Sequence, residues 1–350
     1  MARRLRLGII GCGTVSPSHV ESYLRAGNVE VAWTCDLVPE RARMLAERYH
    51  VPRVTADYRE LLSDPGVDCV SICTDHASHA PLTIAAFEAG KHVLCEKPIV
   101  LNAAAMKEVF DAHAKRPELV YAGVFQHRFD RSIRLVKELV DGGVFGTIVT
   151  CGVQVRCRRD PPYYRERDWR GTWQGEGGSV TMNQALHSID VLVWAMGGVK
   201  AVCGAFTNLR LGGVIETEDT AAAVLRFASG ALGTVETTAS SSLGWENTLF
   251  LHGAEGCVEL RDGQPIKLHF REEALLREVS DRFKECRDPD LIRGNPGHYG
   301  KTHPAQIADF IAAIREGREP FVTPRSAFHT VQVVLGIYQS HREGRWVEIA

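Results

Sequence analysis

The first 125 residues alternate short apolar runs with segments of helical periodicity. The runs that predict β-strands cover residues 5–10, 29–35, 67–73, 91–95 and 119–125. The segments that predict helices cover residues 17–26, 39–49, 78–89 and 102–115. Runs such as VDCVSIC are apolar almost throughout, as in strands with helices over both sheet faces. The alternation predicts a doubly wound parallel sheet over residues 1–125.

The pattern changes near residue 125. Helical periodicity at 130–141 leads into an apolar run at 144–158, and a further helix is predicted around 178–196. Strand-like runs follow at 200–209, 219–228, 231–240, 246–253 and 256–262, and helices return at 303–316 and 326–342. Glycine-containing turns separate several of these strands, which favours antiparallel pairing. We therefore predict a second domain over 126–350, of the α+β class, with a large, open, mostly antiparallel sheet.

Composition narrows the function without naming it. A length of 350 residues suggests about two domains, and a net charge of −2 gives no electrostatic footprint for nucleic acid or an anionic membrane. Apolar runs stay well short of the roughly 20 residues that span a bilayer. The ten cysteines lack metal-type spacing, and several fall in predicted strands. This usage predicts reduced thiols, no metal site and a cytoplasmic location.

A glycine loop follows the first predicted strand and precedes a helix. Gly11 permits a tight turn, and Gly13 lets backbone N–H groups approach a pyrophosphate at the helix N-terminus. Ser16 stands where the dinucleotide fingerprint has its third glycine, so the match is partial. The candidate cofactor-binding residues of this loop are Gly11, Cys12, Gly13, Thr14 and Val15.

An acidic residue ends the second predicted strand. Asp36 is placed to accept hydrogen bonds from both ribose hydroxyls of NAD, and it would repel the additional phosphate of NADP. NAD is therefore the favoured cofactor, while the nearby Arg41 keeps NADP as a second candidate. The alternative is that Asp36 caps the following helix.

Two segments of the sequence contain candidate acid–base residues. Lys97 lies in a Glu96-Lys97-Pro98 turn after a buried strand, where desolvation would lower the lysine pKa toward the working range of a proton acceptor. Asn183 and His187 are four residues apart on a predicted helix, so that their side chains share one face. The alternatives are a solvated lysine, a structural histidine, and a metal site using His187 with Asp190.

Three segments resemble the Gfo/Idh/MocA oxidoreductase family: GIIGCGTVSPSH, VSICTDHASHAPLTIAAFEAGKHVLCEKPIVLN and WRGTWQGEGGSVTMNQALHSIDVLVWAMGG. A weaker likeness is HPAQIADFIAAIREGREPFVT. The resemblance implies a Rossmann domain followed by an α/β domain whose open sheet often forms oligomer contacts, here a homodimer or homotetramer. It also implies NAD(P)-dependent redox chemistry at a hydroxyl of a sugar, polyol or nucleotide-sugar.

The chain departs from the family pattern at two positions. Thr74-Asp75-His76 replaces a common Thr-Pro-Asn, which affects the contacts beside the nicotinamide. Asn183 stands where many members have aspartate, four residues before His187. A neutral amide can hydrogen-bond a substrate hydroxyl, but it does not raise the basicity of a histidine as a carboxylate would.

The remaining candidates surround these positions. Further candidate cofactor-binding residues are Thr74, Asp75, His76, His79, Glu96, Lys97, Gln126, Trp169 and Arg170. Candidate substrate-binding residues are Lys97, Tyr163, Arg165, Asn183, His187 and Tyr299. The six arginines between Arg156 and Arg170 either form local ion pairs in a solvated loop or bind an anionic substrate group.

The sequence thus predicts an NAD(P)-dependent dehydrogenase or reductase acting on a sugar-like substrate. In this hypothesis Lys97 and His187 handle the hydroxyl proton at one carbon and Asn183 orients the substrate. Two alternatives stay open. One is a glycoside hydrolase that uses NAD for transient oxidation and elimination, and the other is a non-catalytic sensor of dinucleotide and sugar.

Overall fold

The chain folds into two compact units. The computed structural model describes residues 3–286 and 302–349. The first unit holds the described residues up to Gln126 together with 302–328, and the second holds 127–286 and 329–349. The predicted division at residue 125 therefore differs in one respect: a C-terminal segment belongs to the first unit, because its apolar residues join that unit's core.

The first unit contains a parallel sheet that is six-stranded among the described residues. Its strands are Leu5–Ile10 (β1), Val29–Cys35 (β2), Arg53–Thr55 (β3), Cys69–Ile72 (β4), His92–Cys95 (β5) and Tyr121–Gly123 (β6). Their order is β3-β2-β1-β4-β5-β6. This is the strand order of a dinucleotide-binding Rossmann sheet. The predicted fold class of the N-terminal domain is confirmed.

Helices connect the strands of this unit. They are Ser16–Ala26 (α1), Pro39–Tyr49 (α2), Tyr58–Ser63 (α3), His76–Glu88 (α4) and Ala103–Ala114 (α5), and His303–Glu316 (α10) joins them from the C-terminal part. The sequence reading missed β3 and α3, since three and six residues are too short for a periodic signal. Ile307, Phe310 and Ile311 of α10 are buried in the same core as Leu7 and Val20.

The second unit is built on a sheet of eight strands among the described residues. The strands are Ile148–Arg158 (β7), Val199–Thr207 (β8), Thr220–Phe227 (β9), Leu232–Thr238 (β10), Ser240–Gly253 (β11), Gly256–Arg261 (β12), Gln264–Phe270 (β13) and Val347–Glu348 (β14). Their order is β13-β12-β11-β7-β10-β9-β8-β14. The β7–β10 pair is parallel and the other pairs are antiparallel, so the predicted mostly antiparallel sheet is confirmed.

Helices of the second unit are Arg131–Asp141 (α6), Pro161–Arg165 (α7), Leu186–Ala195 (α8) and Glu273–Glu285 (α9), and Pro324–Glu343 (α11) runs from the first unit into it. The sequence analysis missed β13, β14, α7 and α9. The predicted helix around 178–196 is wrong in one respect. A π-helical turn at Val180–Gln184 precedes α8, so residues 183 and 187 do not share one regular helix. Among the described residues, no helix combines the length and apolarity needed to cross a bilayer.

Candidate active site

The glycine loop after β1 fits a dinucleotide. Gly11 has φ +92°, and a Cβ there would meet the Cys73 carbonyl oxygen at 2.5 Å, so the loop lies against the turn after β4. A Cβ on Gly13 would meet no heavy atom within 4 Å, and α1 begins three residues later. Open space beside a glycine at a helix N-terminus is what a pyrophosphate requires. Bound NAD would supply the hydride acceptor in the expected chemistry.

Asp36 is held by backbone amides at the end of β2. Its Oδ2 accepts a hydrogen bond from the Cys12 N–H at 2.8 Å, and its Oδ1 accepts one from the Val38 N–H at 2.8 Å. The carboxylate thus joins the glycine loop to the start of α2, next to Pro39. Arg41 lies in the first turn of α2 and is partly exposed. A ribose contact by Asp36 stays a prediction, and such a contact would use the remaining lone pairs of the carboxylate.

The turns after β4 and β5 are tied together by a buried histidine. The His79 Nδ1 lies 2.8 Å from the Pro98 carbonyl oxygen, and its Nε2 lies 3.3 Å from the Thr74 carbonyl oxygen. Burial lowers the pKa of His79 and favours the neutral ring, which donates to one of these two carbonyl oxygens. Asp75 caps α4 by accepting from the Ser78 N–H at 3.1 Å. His76 is buried, and its ring centroid lies 5.8 Å from that of His79.

Glu96 lies between two buried imidazoles. Its Oε1 is 3.0 Å from the His19 Nε2 and 3.3 Å from the His303 Nε2, while its Oε2 accepts from the Lys97 N–H at 3.2 Å. His19, Glu96 and His303 are the group of potential metal-ligating side chains that the described residues bring together. The contacts have hydrogen-bond lengths, which explains the cluster without an ion.

Proton positions in this cluster follow from the carboxylate. Burial acts to raise the pKa of Glu96, but the hydrogen bonds from the two imidazoles outweigh it and hold the pKa well below its usual range. Burial lowers the pKa of His19. An ionised Glu96 only accepts, so His19 carries its proton on Nε2 and its Nδ1 accepts from Ser71 Oγ at 3.2 Å. The EKP turn and the half-buried Lys97 within it are therefore anchored by charge-assisted hydrogen bonds.

In the second unit, buried Glu218 organises the π-helical turn. Its carboxylate accepts from the Ser179 N–H at 3.1 Å, from the Thr181 N–H at 2.9 Å and from the Tyr338 hydroxyl at 2.8 Å. Burial is the largest influence on this group and raises the pKa of Glu218. Amides at the start of a helical turn need acceptors, and Glu218 supplies one. The turn that carries Asn183 is thus held by buried hydrogen bonds.

Asn183 has a buried carboxylate as its neighbour. Its Nδ2 donates to Glu176 Oε1 at 2.5 Å and lies 3.5 Å from the Tyr163 hydroxyl. Glu176 has no exposed surface, and its Oε2 accepts from the Gly171 N–H at 2.6 Å. A residue seven positions earlier in the chain therefore places a carboxylate directly beside Asn183.

Tyr163 is the centre of a small polar cluster. Gln184 donates from Nε2 to the Tyr163 hydroxyl at 3.1 Å, and Arg159 donates from Nη2 to Gln184 Oε1 at 2.7 Å. The Arg170 guanidinium lies 4.0 Å from the Tyr163 ring centroid and donates to the Tyr163 carbonyl oxygen at 2.7 Å. Trp169 lies next to this cluster, with its ring 5.7 Å from the Arg170 guanidinium.

His187 contacts a second histidine. The rings of His127 and His187 meet edge to face, with centroids 5.1 Å apart. The His127 Nδ1 lies 2.7 Å from Asp130 Oδ2. Burial acts to lower the pKa of His127, but the carboxylates of Asp130 and Asp190 raise it above its usual value. The protonated, positively charged form of His127 is therefore favoured next to His187.

Both oxygens of Asp190 accept hydrogen bonds from neighbouring side chains. It pairs with the buried Arg128 through Nε–Oδ2 at 2.8 Å and Nη2–Oδ1 at 2.5 Å, and it accepts from Thr330 Oγ1 at 2.7 Å. A bidentate guanidinium and a hydroxyl occupy the oxygens that a metal would need. The structure thus disfavours the alternative of a metal held by His187 and Asp190.

Local pairing accounts for several of the six arginines. Arg156 pairs with Glu236 at 2.9 Å, Arg158 with Asp160 at 2.8 Å and Arg170 with Glu166 at 3.0 Å. Arg165 is exposed on α7. Tyr299, the remaining candidate substrate-binding residue, lies outside the described residues. Gln126 is buried, and its Oε1 has no hydrogen-bond partner among the described residues.

Sequence reasoning missed Glu176, His127, His19 and His303. Glu176 lies in a glycine-rich segment that suggests only a loop, and His127 follows a strand without any motif. The His19–Glu96–His303 cluster joins three distant parts of the chain, so no local pattern predicts it. Among these, Glu176 had one weak signal: an acidic residue between glycines, ahead of a polar helix start.

Comparison with known proteins settles the family. Residues 5–124 match the family described as "Oxidoreductase family, NAD-binding Rossmann fold", and residues 137–349 match "Oxidoreductase family, C-terminal alpha/beta domain". The chain belongs to the Gfo/Idh/MocA oxidoreductase family. The predicted family, its NAD-binding domain and NAD as the cofactor are confirmed.

Relatives extend over the whole chain. A myo-inositol 2-dehydrogenase of Thermotoga maritima is 30% identical and is matched over 99% of this chain and 98% of its own length. A levoglucosan dehydrogenase of Pseudarthrobacter phenanthrenivorans is 25% identical, with 99% and 98% covered. The WlbA dehydrogenase of Bordetella pertussis, solved in complex with NADH and UDP-GlcNAcA, superposes with a TM-score of 0.87 at 26% identity, covering 100% of this chain and 99% of that one.

Proposed function

We propose that this protein is an NAD-dependent dehydrogenase that acts on a secondary hydroxyl of a sugar, polyol or nucleotide-sugar. The relatives named above carry substrates of these three kinds in their names or complexes. The observation that carries the proposal is the placement of Lys97. It follows β5 at the carboxyl edge of the parallel sheet whose β1 ends in the glycine loop, with only β4 between these two strands. Ligands bind at this edge in such sheets.

The proton chemistry falls to two side chains. Oxidation of a secondary alcohol requires a base for the hydroxyl proton, and we assign this proton to Lys97 and His187. Asn183 orients the substrate by hydrogen bonding, and its neighbour Tyr163 contributes to substrate binding together with the exposed Arg165 of α7. Tyr299 remains a candidate by resemblance alone.

The first experiment is a substrate panel with NAD⁺, followed by NADH absorbance. It includes myo-inositol, levoglucosan and UDP-GlcNAcA, and thereby separates neutral from anionic substrates. If neutral sugars turn over as well as the uronate, the arginines of 156–170 do not select an anion. Release of an aglycone from a glycoside without net NADH would instead favour the hydrolase alternative. Binding without turnover of any compound would favour the sensor.

The second experiment removes the lysine. Lys97→Ala should lower kcat about 100-fold or more, because a positioned acid–base group contributes at least that factor. NAD⁺ binding, measured by calorimetry, should survive. The matched control is Lys107→Ala, which removes an exposed lysine of α5 that pairs with Asp111. Near-normal activity of Lys97→Ala would contradict the assigned mechanism.

Coenzyme choice tests Asp36. Asp36→Ala should weaken NAD⁺ binding and reduce the preference for NAD⁺ over NADP⁺. The variant loses both an acceptor for the ribose hydroxyls and a charge that repels the additional phosphate of NADP⁺. Kinetics with both coenzymes measure the preference. An unchanged ratio would show that Asp36 serves only the Cys12 and Val38 amides.

We propose further that the protein self-associates through the open face of the eight-stranded sheet. Alternate residues of β9 point outward, and the same face continues on the paired strand β10, with Val224 38% and Leu232 50% exposed. Contiguous exposed apolar surface of this kind is typical of interfaces. Light scattering should find a dimer or tetramer, and Val224→Asp with Leu232→Glu should yield monomers. A monomeric wild type would refute the idea.

We also propose that the protein is located in the cytoplasm. All ten cysteines are free thiols, and most are buried in strands or the turns after them. Such a protein has no need of an oxidising compartment. Fractionation of the source cells, with detection of the protein by antibody, tests the location; recovery outside the cytoplasm would contradict it.

A further inference from the structure

A buried carboxylate fixes the orientation of the Asn183 carboxamide. Glu176 is fully buried in a glycine-rich turn of the second unit. Its Oε1 accepts from Asn183 Nδ2 at 2.5 Å, and its Oε2 accepts from the Gly171 N–H at 2.6 Å. Both oxygens are thus engaged with donors of the same unit.

The chemistry of the pair fixes the orientation of the amide. Both oxygens of Glu176 accept hydrogen bonds, Oε1 from Asn183 and Oε2 from Gly171, whereas a carboxamide has one accepting side and one donating side. Asn183 must therefore turn its NH₂ group toward Glu176. Its carbonyl oxygen, Oδ1, is then on the opposite side of the side chain. An asparagine without such a neighbour could rotate and present either atom.

The other end of Glu176 is equally constrained. Gly171 has φ +72°, and a Cβ there would lie 2.4 Å from Ile215 Cγ2, so only glycine fits. The Gly171 carbonyl oxygen accepts from the Glu216 N–H at 2.7 Å, which holds the peptide from its other side. Because the Gly171 N–H needs an acceptor, the group at position 176 must present an oxygen to it.

We propose that Glu176 is a positioning residue that makes Asn183 a hydrogen-bond acceptor for a substrate hydroxyl. This inference rests on the proposed function, in which Asn183 contacts the substrate. The carboxylate does not touch the substrate itself. It selects ligands that donate a hydroxyl proton at this position and disfavours ligands that only accept, such as an O-methyl ether of the same sugar.

A single isosteric change tests the idea. In Glu176→Gln, the amide oxygen must remain on Gly171, so its NH₂ faces Asn183. Asn183 then has to rotate and present its own NH₂ where Oδ1 stood. The site loses an acceptor and gains a donor, and kcat/KM for the hydroxyl substrate should fall roughly 10- to 100-fold. The control Glu255→Gln, in a carboxylate that pairs with Arg271 on the surface, should leave kcat/KM unchanged.

The double variant Glu176→Gln with Asn183→Asp supplies the decisive readout. The carboxylate introduced at position 183 can accept from the NH₂ group introduced at position 176 and still present its second oxygen outward. The value of kcat/KM should therefore recover to within about fivefold of wild type. Asn183→Asp alone would place two carboxylates in hydrogen-bond contact. These share one proton, and the activity of that variant should rise as the pH is lowered.

The outcomes separate the inference from the function. If wild type turns over no member of the substrate panel, the proposed function fails before Glu176 is tested. If wild type is active and Glu176→Gln keeps its full kcat/KM, the positioning role is wrong. A double variant that folds but is no better than Glu176→Gln also overturns it. Should Glu176→Gln not fold, the pH profile of Asn183→Asp decides: a profile identical to wild type contradicts a carboxylate at that distance.

Discussion

Two buried carboxylates, one in each unit, adjoin a proposed functional side chain, and they are held by different donors. Glu96 precedes Lys97 and is bonded by two imidazoles, His19 and His303. Glu176 contacts Asn183 and is bonded by a carboxamide and a backbone amide. Imidazoles gain and lose protons near neutral pH, whereas amides do not.

The difference teaches what each arrangement can do. In the Glu96 cluster, the ionised state of the carboxylate depends on the hydrogen bonds that the histidines supply, because burial alone would raise its pKa. The cluster holds the backbone of a turn. At Glu176, neither the carboxamide nor the backbone amide titrates, and the result is the fixed orientation of one neighbouring side chain. One carboxylate therefore stabilises a main-chain position and the other sets the polarity of a side chain.

Removal of Glu96 should have the largest effect on stability. Glu96→Ala leaves the His19 and His303 N–H groups and the Lys97 N–H without their acceptor in a buried site, which should cost about 3 kcal/mol in the free energy of unfolding. Urea denaturation followed by circular dichroism measures it. The control Glu118→Ala, whose partner Arg116 is on the surface, should change little. Equal midpoints for the two variants would contradict the anchoring role.

Gly171→Ala should have the next largest effect, because it alters the backbone partner of Glu176. The new methyl group meets Ile215, and the positive φ adds backbone strain, so we expect a loss of about 2–3 kcal/mol. Gly213→Ala is the matched control: it has φ +79° but open space around the Cβ, and should lose only about 1 kcal/mol. Thermal unfolding of both variants gives the comparison, and similar melting temperatures would refute the proposed clash.

The smallest expected effect is a difference in titration between His127 of the second unit and His19 of the first unit. His127 pairs with Asp130 with side chains 28% and 27% exposed, and its pKa is raised; fully buried His19 has its pKa lowered. NMR of the imidazole protons should therefore find His127 titrating above pH 6.5 and His19 below it.

The raised pKa of His127 also determines how the free energy of unfolding changes with pH. A raised folded-state pKa means that protonated His127 contributes fully below its ordinary value of 6.5, and the contribution disappears as the pH rises through the raised value. His127→Gln should thus be less stable than wild type at a pH about one unit below that ordinary value, with the gap closing at alkaline pH. A gap that widens with pH would reverse the assignment.

Local pattern predicted much of this fold. The bounds of β1, β2, α2 and α10 coincide with the predicted ranges, since each has a long apolar or periodic signal with clear ends. Segments of two to six residues, such as β3, α3 and β14, carry no periodicity and went unseen. The helix around residue 180 was predicted as regular because its apolar spacing continues through the π turn. In the folded protein, the carboxylate of Glu218 holds the Ser179 and Thr181 amides at the start of this turn.

The sequence by itself determined the family, the cofactor domain and the candidate residues Lys97, Asn183 and His187, because these belong to short motifs with fixed spacing. The tertiary structure alone decided what surrounds them. It joined His19 and His303 to Glu96, across separations of 77 and 207 residues, and brought Glu176 to Asn183. Such contacts depend on how elements pack, and burial together with the hydrogen bonds and charges that packing brings near decides the charge of each group. The local order of residues determines neither of them.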